Sequence, residues 1–180
     1  MKTLRSPWNL LGGLVFLAGL FAFWYGGRLP TTRVVHPPAP VVAPEAEAKE
    51  VTLALYFAKP DGTGFVLEKR KVQLDPGEDR LARALAELVR GPEIAGASPL
   101  LPKDAPPPAV YRMGRAVVLD LPAGYRDLGY GVRGESLLLY GLANTALANS
   151  DAEEVRFLLA GRPAMALIHL SLADPIRRAR

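Results

Sequence analysis

The order of apolar and polar positions changes character twice along the chain. From Trp8 to Gly27, WNLLGGLVFLAGLFAFWYGG, no residue is charged and only Asn9 is clearly polar. At about 1.5 Å per residue, such a run spans a bilayer core of about 30 Å. Trp8 at one end and Trp24-Tyr25 at the other suit the two membrane interfaces. A soluble helix of this length needs a polar face, and none is present. A cleaved signal peptide needs small residues where Trp24 and Tyr25 stand, and its core is usually shorter. The pattern predicts an uncleaved, single transmembrane helix, with residues 1–27 forming a short head and anchor. Lys2 and Arg5 before the span, set against Arg28 and Arg33 after it, lean towards a cytoplasmic head and an extracytoplasmic C-terminal part.

Residues 28–49 hold five prolines and no periodicity. They read as an extended, semi-rigid linker. His36 lies there without fellow ligands and reads as solvated.

Residues 50–180 alternate in a manner that predicts a folded domain. Val51, Leu53, Leu55 and Phe57 recur at strand period, and Asp61-Gly62 supplies turn chemistry. Phe65–Leu74 reads as a second strand with a charged outer face. Asp75 as cap, Pro76 at the first helical position and Glu78 as box partner predict a helix start. Leu81, Ala84, Leu85 and Leu88 give that helix an apolar stripe, and Gly91-Pro92 ends it. Arg80, Arg83, Glu87 and Arg90 read as its solvated face. Prolines 99, 102 and 106–108 stiffen a long surface loop. AVYRM and AVVLDL, around Gly114-Arg115, predict a hairpin. A loop at 122–133 leads to a second helix over about Gly134–Asn149, apolar on most of its circumference. VRFLLA (155–160) and AMALIHL (164–170) predict two last strands. The expected fold is α+β: a mixed β-sheet with two helices packed on one face, in the order ββα-ββα-ββ, preceded by the transmembrane helix.

The net charge is +4 over 180 residues. From Glu50 onward acids and bases nearly balance, so the excess sits near the anchor and in the tail Arg177, Arg178 and Arg180. A nucleic-acid binder concentrates positive charge on its folded face; no nucleic-acid partner is expected. There is no cysteine, which excludes disulfides, thiolate metal sites and lipid attachment at cysteine.

Gly129, Gly131 and Gly134 have the spacing G-x-G-x-x-G and precede a helical run. A dinucleotide turn needs its first glycine directly after a strand and an acid at the end of the next strand. Neither condition is met, because the preceding strand ends near Leu121 and Asp151, Glu153 and Glu154 precede Val155. The glycines are expected to permit positive φ in a loop turning sharply into a helix. His169, alone in the domain, is expected to be packed or half-exposed in an apolar strand, without metal or catalytic partners. No serine lies in a nucleophile motif. No catalytic residue, cofactor or metal is expected. Tyr125, Arg126, Tyr130 and Arg133 cluster on the segment before the second helix. They are the candidate interaction residues, since tyrosine and arginine are enriched at interface hot spots and loops of this length are often functional.

LALYF (53–57), LVRGP (88–92), GRAVVLDL (114–121), Gly134-Glu135, LANTAL (142–147), VRFLLAGRPA (155–164) and DPIRR (174–178) occur in an order that resembles the GerMN domain of GerM-like sporulation and spore-germination proteins. The resemblance runs over about Val51–Arg178. Relatives often carry two such domains or a lipid-bearing cysteine, neither of which occurs here. The resemblance implies a cell-envelope protein without known catalysis, binding protein partners or assembling with itself; the apolar span adds the cytoplasmic membrane as its location. The alternative is a module that binds or processes cell-wall material such as peptidoglycan.

Overall fold

The alternation Leu53-Leu55-Phe57 becomes strand β1, Lys49–Ala58, in the computed structural model, which describes residues 7–26 and 48–178. The chain divides into two compact units, Met1–Pro44 and Glu45–Arg180. The head with Lys2 and Arg5, the linker through residue 47 with Arg28, Arg33 and His36, and Arg180 lie outside the described residues. The first unit contributes helix α1, Pro7–Gly26, with no charged residue in its terminal turns. Its side chains are described from Leu11 onward, and all of these are exposed. Phe21 and Tyr25 stack at 5.4 Å. Among the described residues no helix is long and apolar enough to cross a membrane.

In the second unit β1 pairs antiparallel with β2, Phe65–Leu74, with Leu53 opposite Arg70 and Leu55 opposite Glu68. The turn between them closes on Asp61, whose Oδ1 accepts from the backbone N of Thr63 at 2.9 Å and from its hydroxyl at 2.8 Å. Helix α2, Arg80–Arg90, starts one turn later than the D-x-x-E pattern predicts. Asp79 is its cap, accepting from the N–H groups of Leu81 and Ala82 at 2.8 and 2.9 Å. The predicted box forms just upstream as a closed turn: Asp75 N donates to Glu78 Oε2, and Glu78 N donates to Asp75 O. Two oxygen-bearing residues compete for one helix start, and the one nearer the apolar stripe prevails.

The charged side of β2 corrects a second expectation. Glu68 and Arg70 are not on an outer face; they are 3% and 6% exposed, and Glu87 of α2 is 1% exposed. Arg70 bridges Glu68 and Glu87 and donates to the carbonyls of Glu87 and Gly91 at the end of α2. A guanidinium satisfies both carboxylates and the orphan carbonyls of a helix C-terminus at once. Alternation alone cannot distinguish such a buried network from a solvated face.

Strands β3, Ala109–Met113, and β4, Ala116–Leu121, form the predicted hairpin. Helix α3, Val132–Ala148, starts two residues before the predicted Gly134. It crosses over to β5, Glu154–Leu159, which lies parallel to β4. The predicted strand at 164–170 does not form: the segment folds back on itself, with Leu172 N donating to Met165 O and Leu167 N to Leu170 O. His169 is therefore exposed rather than packed in a strand. The last strand is the short β6, Ile176–Arg177, antiparallel to β5.

The single mixed sheet expected is in fact two: β1-β2, and β3-β4-β5-β6. The reason lies along the outer edge of β1. Thr52 O accepts from Arg80, Ala54 N and O bond the Asn149 carboxamide, Tyr56 N donates to the Thr145 hydroxyl, and Ala58 exchanges two bonds with Ser98. Every second residue of the edge thus has a partner other than a strand, and the sheet ends there. Behind both sheets lies one core. Leu81, Leu85 and Leu88 of α2, Leu138 and Leu142 of α3, Leu119 and Leu121 of β4, and Val155 of β5 are all 0–1% exposed.

Candidate interaction site

After β4 the chain enters a 3-10 helix, Ala123–Leu128, before α3. Only Gly129 of the three spaced glycines has positive φ, at 68°. Gly131 caps α3 with extended backbone. Gly134 is instead constrained by contact: a Cβ there would lie 3.3 Å from Tyr130 Cβ and Cγ. The expectation of positive φ at all three is corrected to one, and the 3-10 helix intervenes where a dinucleotide turn needs a strand end.

The four candidate residues fall into different environments. Tyr125 is 1% exposed, and its hydroxyl donates to Pro106 O at 2.9 Å, which ties the proline-rich loop to the core. Burial, with a smaller effect of Tyr130, raises its phenol pKa and keeps the ring neutral. Tyr130 is half-buried and donates to Leu100 O at 2.9 Å; burial raises its pKa too. Arg126 is exposed and donates to the carbonyls of Leu167 and Ala166 at 3.1 and 3.3 Å. Arg133 is exposed, its stem against Gly62. The structure thus does not bring the four together as one surface. Tyr125 has no area left for a partner, while Arg126, Arg133 and the neighbouring Val132, 58% exposed, do.

The residue that organises this region is Glu135, in the first turn of α3. It is 0% exposed. Its carboxylate accepts from the backbone N–H groups of Ile168, His169 and Leu170 at 2.9, 2.8 and 3.1 Å. Burial opposes the charge, yet the three N–H donors and the adjacent His169 hold the carboxyl below its ordinary value. The helix N-terminus favours the anion as well. Arg126 grips carbonyls and Glu135 grips N–H groups of the same returning segment, so one loop fixes the other. Composition gave no sign of this role; Glu135 stood out only as part of the Gly134-Glu135 pair.

Elsewhere, a charged cleft of about 510 Å³ is lined by Arg115, Glu153, Glu154, Arg177 and Arg178. Its groups satisfy one another: Arg115 with Glu153, and Arg156 and Arg177 with Glu154. Arg178 donates to the carbonyls of Leu147 and Ser150. Among the described residues no group of three or more His, Cys, Asp or Glu is placed to hold a metal ion.

The Germane family model, described as sporulation and spore germination, matches residues 54–164. The first GerMN domain of the sporulation protein GerM from Bacillus subtilis superposes with a TM-score of 0.55 at 19% identity, covering 71% of this chain and 98% of that one. The tandem GerMN domains of the same protein give 0.55 at 19% identity over 72% of this chain, which spans 47% of the tandem structure. A Clostridium perfringens protein provisionally named a lipoprotein gives 0.48 at 19% identity, covering 72% of this chain and 88% of that chain. No curated protein matches the chain. The order of motifs, the mixed α+β fold and the matched span agree: the chain belongs to the Germane, or GerMN-domain, family.

Proposed function

We propose that this is a single-pass protein of the bacterial cytoplasmic membrane, with its GerMN domain outside the cytoplasm acting as a non-catalytic protein-interaction or assembly module in sporulation or spore germination. The match of the family model over residues 54–164 carries the reading. The anchor is supported by the amino-acid sequence alone: the run from Trp8 to Gly27 carries no charge, has tryptophans near both ends, and matches a bilayer core in length. In the domain, the exposed Arg126, Val132 and Arg133 are the contact candidates on the loop entering α3, with Tyr130 supporting them from its half-buried position.

The test has two parts. Protease added to intact spheroplasts is expected to remove the domain and leave the anchor; full protection reverses the topology. The double variant Tyr130→Ala, Arg133→Ala is expected to weaken partner recovery from cross-linked membranes. A drop in recovery and in thermal stability together makes the loop structural. Undiminished recovery moves the contact elsewhere on the domain.

A further inference from the structure

The edges of the two sheets are managed unequally. That of β1 is occupied residue by residue. β2 carries exposed Lys69 and Lys71, and β6 is two residues long. Charge and brevity are the usual protections of an edge strand. β3 has neither. It runs for five residues, with Tyr111 55% and Met113 62% exposed, and its one charge, Arg112, is held to Asp79 at 2.5 Å.

The register locates the free backbone groups. The two-residue turn Gly114-Arg115 makes Met113 and Ala116 the closing pair of the hairpin, so bonds to β4 fall on Met113, Tyr111 and Ala109. The N–H and C=O of Val110 and Arg112 then face away from the sheet, and no partner occurs for them among the described residues.

Beside this edge a groove of about 590 Å³ runs over the sheet face that the helices leave uncovered. Tyr111, Met113, Val118 and Leu158 line it, and Met165, 80% exposed, stands on its lip. Arg156 lines it on that face, and no carboxylate does; Arg112, opposite the core residue Val117, borders it but carries its side chain on the other face, towards Asp79. Each is paired, Arg112 with Asp79 and Arg156 with Glu154, and remains about half exposed, at 53% and 47%.

We infer that the β3 edge and this groove bind an extended segment of a partner protein, added as a strand beside β3, with large apolar side chains alternating with aspartate or glutamate. This deepens the interaction reading above and rests on it. The row of unpaired backbone groups calls for a strand, because main-chain bonds provide affinity in such additions and pockets for alternate side chains provide specificity. The apolar lining selects the alternate side chains. The intervening side chains of an added strand point to the opposite face, where the half-exposed Arg112 selects an acid through a charge-assisted bond. A second copy in isologous contact would set one arginine-lined groove against another. An anionic amphiphile would fill the groove but leave the Val110 and Arg112 backbone unpaired.

The full-length protein in lipid nanodiscs is offered a displayed library of random ten-residue peptides, with oleate as the rival probe. The enriched peptides are expected to alternate apolar and acidic residues and to slow amide exchange at Val110 and Arg112. Their affinity is expected to fall about tenfold or more in Tyr111→Asp, Met113→Asp, which puts carboxylates into the groove that receives the apolar side chains. Because both side chains are exposed, an unchanged melting temperature confirms that this variant is folded. The inference is overturned if no such peptides emerge, if they bind the double variant equally well, if oleate alone is taken up, or if the groove is closed by dimerisation. The selection uses no cells, so a reversed topology or a loop that proves structural leaves its outcome untouched.

Discussion

The outer edges of β1 and β3 pose the same chemical problem and meet it differently. Each is the last strand of its sheet on one side, with backbone groups turned outward every second residue. Along β1 those groups bond Arg80, Asn149, Thr145 and Ser98, drawn from two helices and a loop. Along β3 they meet none among the described residues. A sealed edge ties distant parts of the chain to one another and so belongs to stability. An open apolar edge contributes little to the fold and is free to take a partner. The contrast separates the part of this domain that maintains the structure from the part available to act.

The largest effect is expected at the sealed edge. Asn149 is 5% exposed; its Oδ1 accepts from Ala54 N at 3.1 Å and its Nδ2 donates to Ala54 O at 2.7 Å and Thr145 O at 2.8 Å. Asn149→Ala leaves the part-buried N–H and C=O of Ala54 without partners, at about 1–3 kcal/mol each, for a total of roughly 3 kcal/mol. Pulse proteolysis of the full-length protein in urea measures this. A loss below about 1 kcal/mol would mean that water replaces the carboxamide and that the edge is not sealed in the energetic sense.

Much of this scaffold was legible in the amino-acid order. The strands β1 to β5, both helices of the domain and the β3-β4 hairpin follow from period and turn chemistry, because each depends on neighbours close in sequence. What was hidden depends on distant pairs. Asn149 lies 95 residues from Ala54, and nothing local in LANTALAN marks Thr145 and Asn149 as substitutes for a strand. The single-sheet expectation failed for that reason. Arg70 and Glu87 looked solvated because periodicity records polarity and cannot see a partner 17 residues away. The apolar run ALIHL met the strand criterion, yet its backbone is claimed by Glu135 and by its own return. The candidate loop was legible only as a position: Tyr125, Arg126, Tyr130 and Arg133 lie at the entrance to α3, but the hydrogen bonds of the first three to Pro106, Ala166, Leu167 and Leu100 depend on distant segments.

A smaller effect is expected where one side chain seals three backbone groups. Glu135→Gln keeps the shape but removes the charge, and directs an amide N–H₂ at an N–H donor. Bonds to a charged group contribute about 1.5–3 kcal/mol, so roughly 2 kcal/mol of stability is expected to go. Amide exchange at Ile168, His169 and Leu170 should quicken before the core opens. The pH dependence has a definite sign. The folded carboxyl lies below its ordinary value of 4.5. Its contribution is therefore complete above that pH and is lost as pH falls through the lower folded value. The gap between wild type and variant should be widest near neutrality and close in acid. A gap that persists unchanged at pH 2 would assign the effect to packing rather than to the charge, and the analogy with the sealed edge of β1 would then rest on shape alone.

The smallest effect belongs to the open edge, and it tests the contrast most directly. Tyr111→Lys and Met113→Lys, made singly, change side chains already 55% and 62% exposed. Little apolar area is lost from the folded state, and lysine is a residue that edge strands commonly carry. The difference in strand propensity is a fraction of a scale that spans about 1 kcal/mol. Each variant is expected to stay within about 0.5 kcal/mol of wild type, as surface positions usually do. Both should lose peptide binding, since a charged stem then projects over the apolar groove. If either variant cost as much as Asn149→Ala, the two edges would not differ in kind: Tyr111 or Met113 would be buried in solution against some part of the protein, and the groove would be as sealed as β1. If stability held and peptide binding held with it, the edge would be open but idle. Only stability retained with binding lost keeps the division between an edge that holds the domain together and an edge that engages a partner.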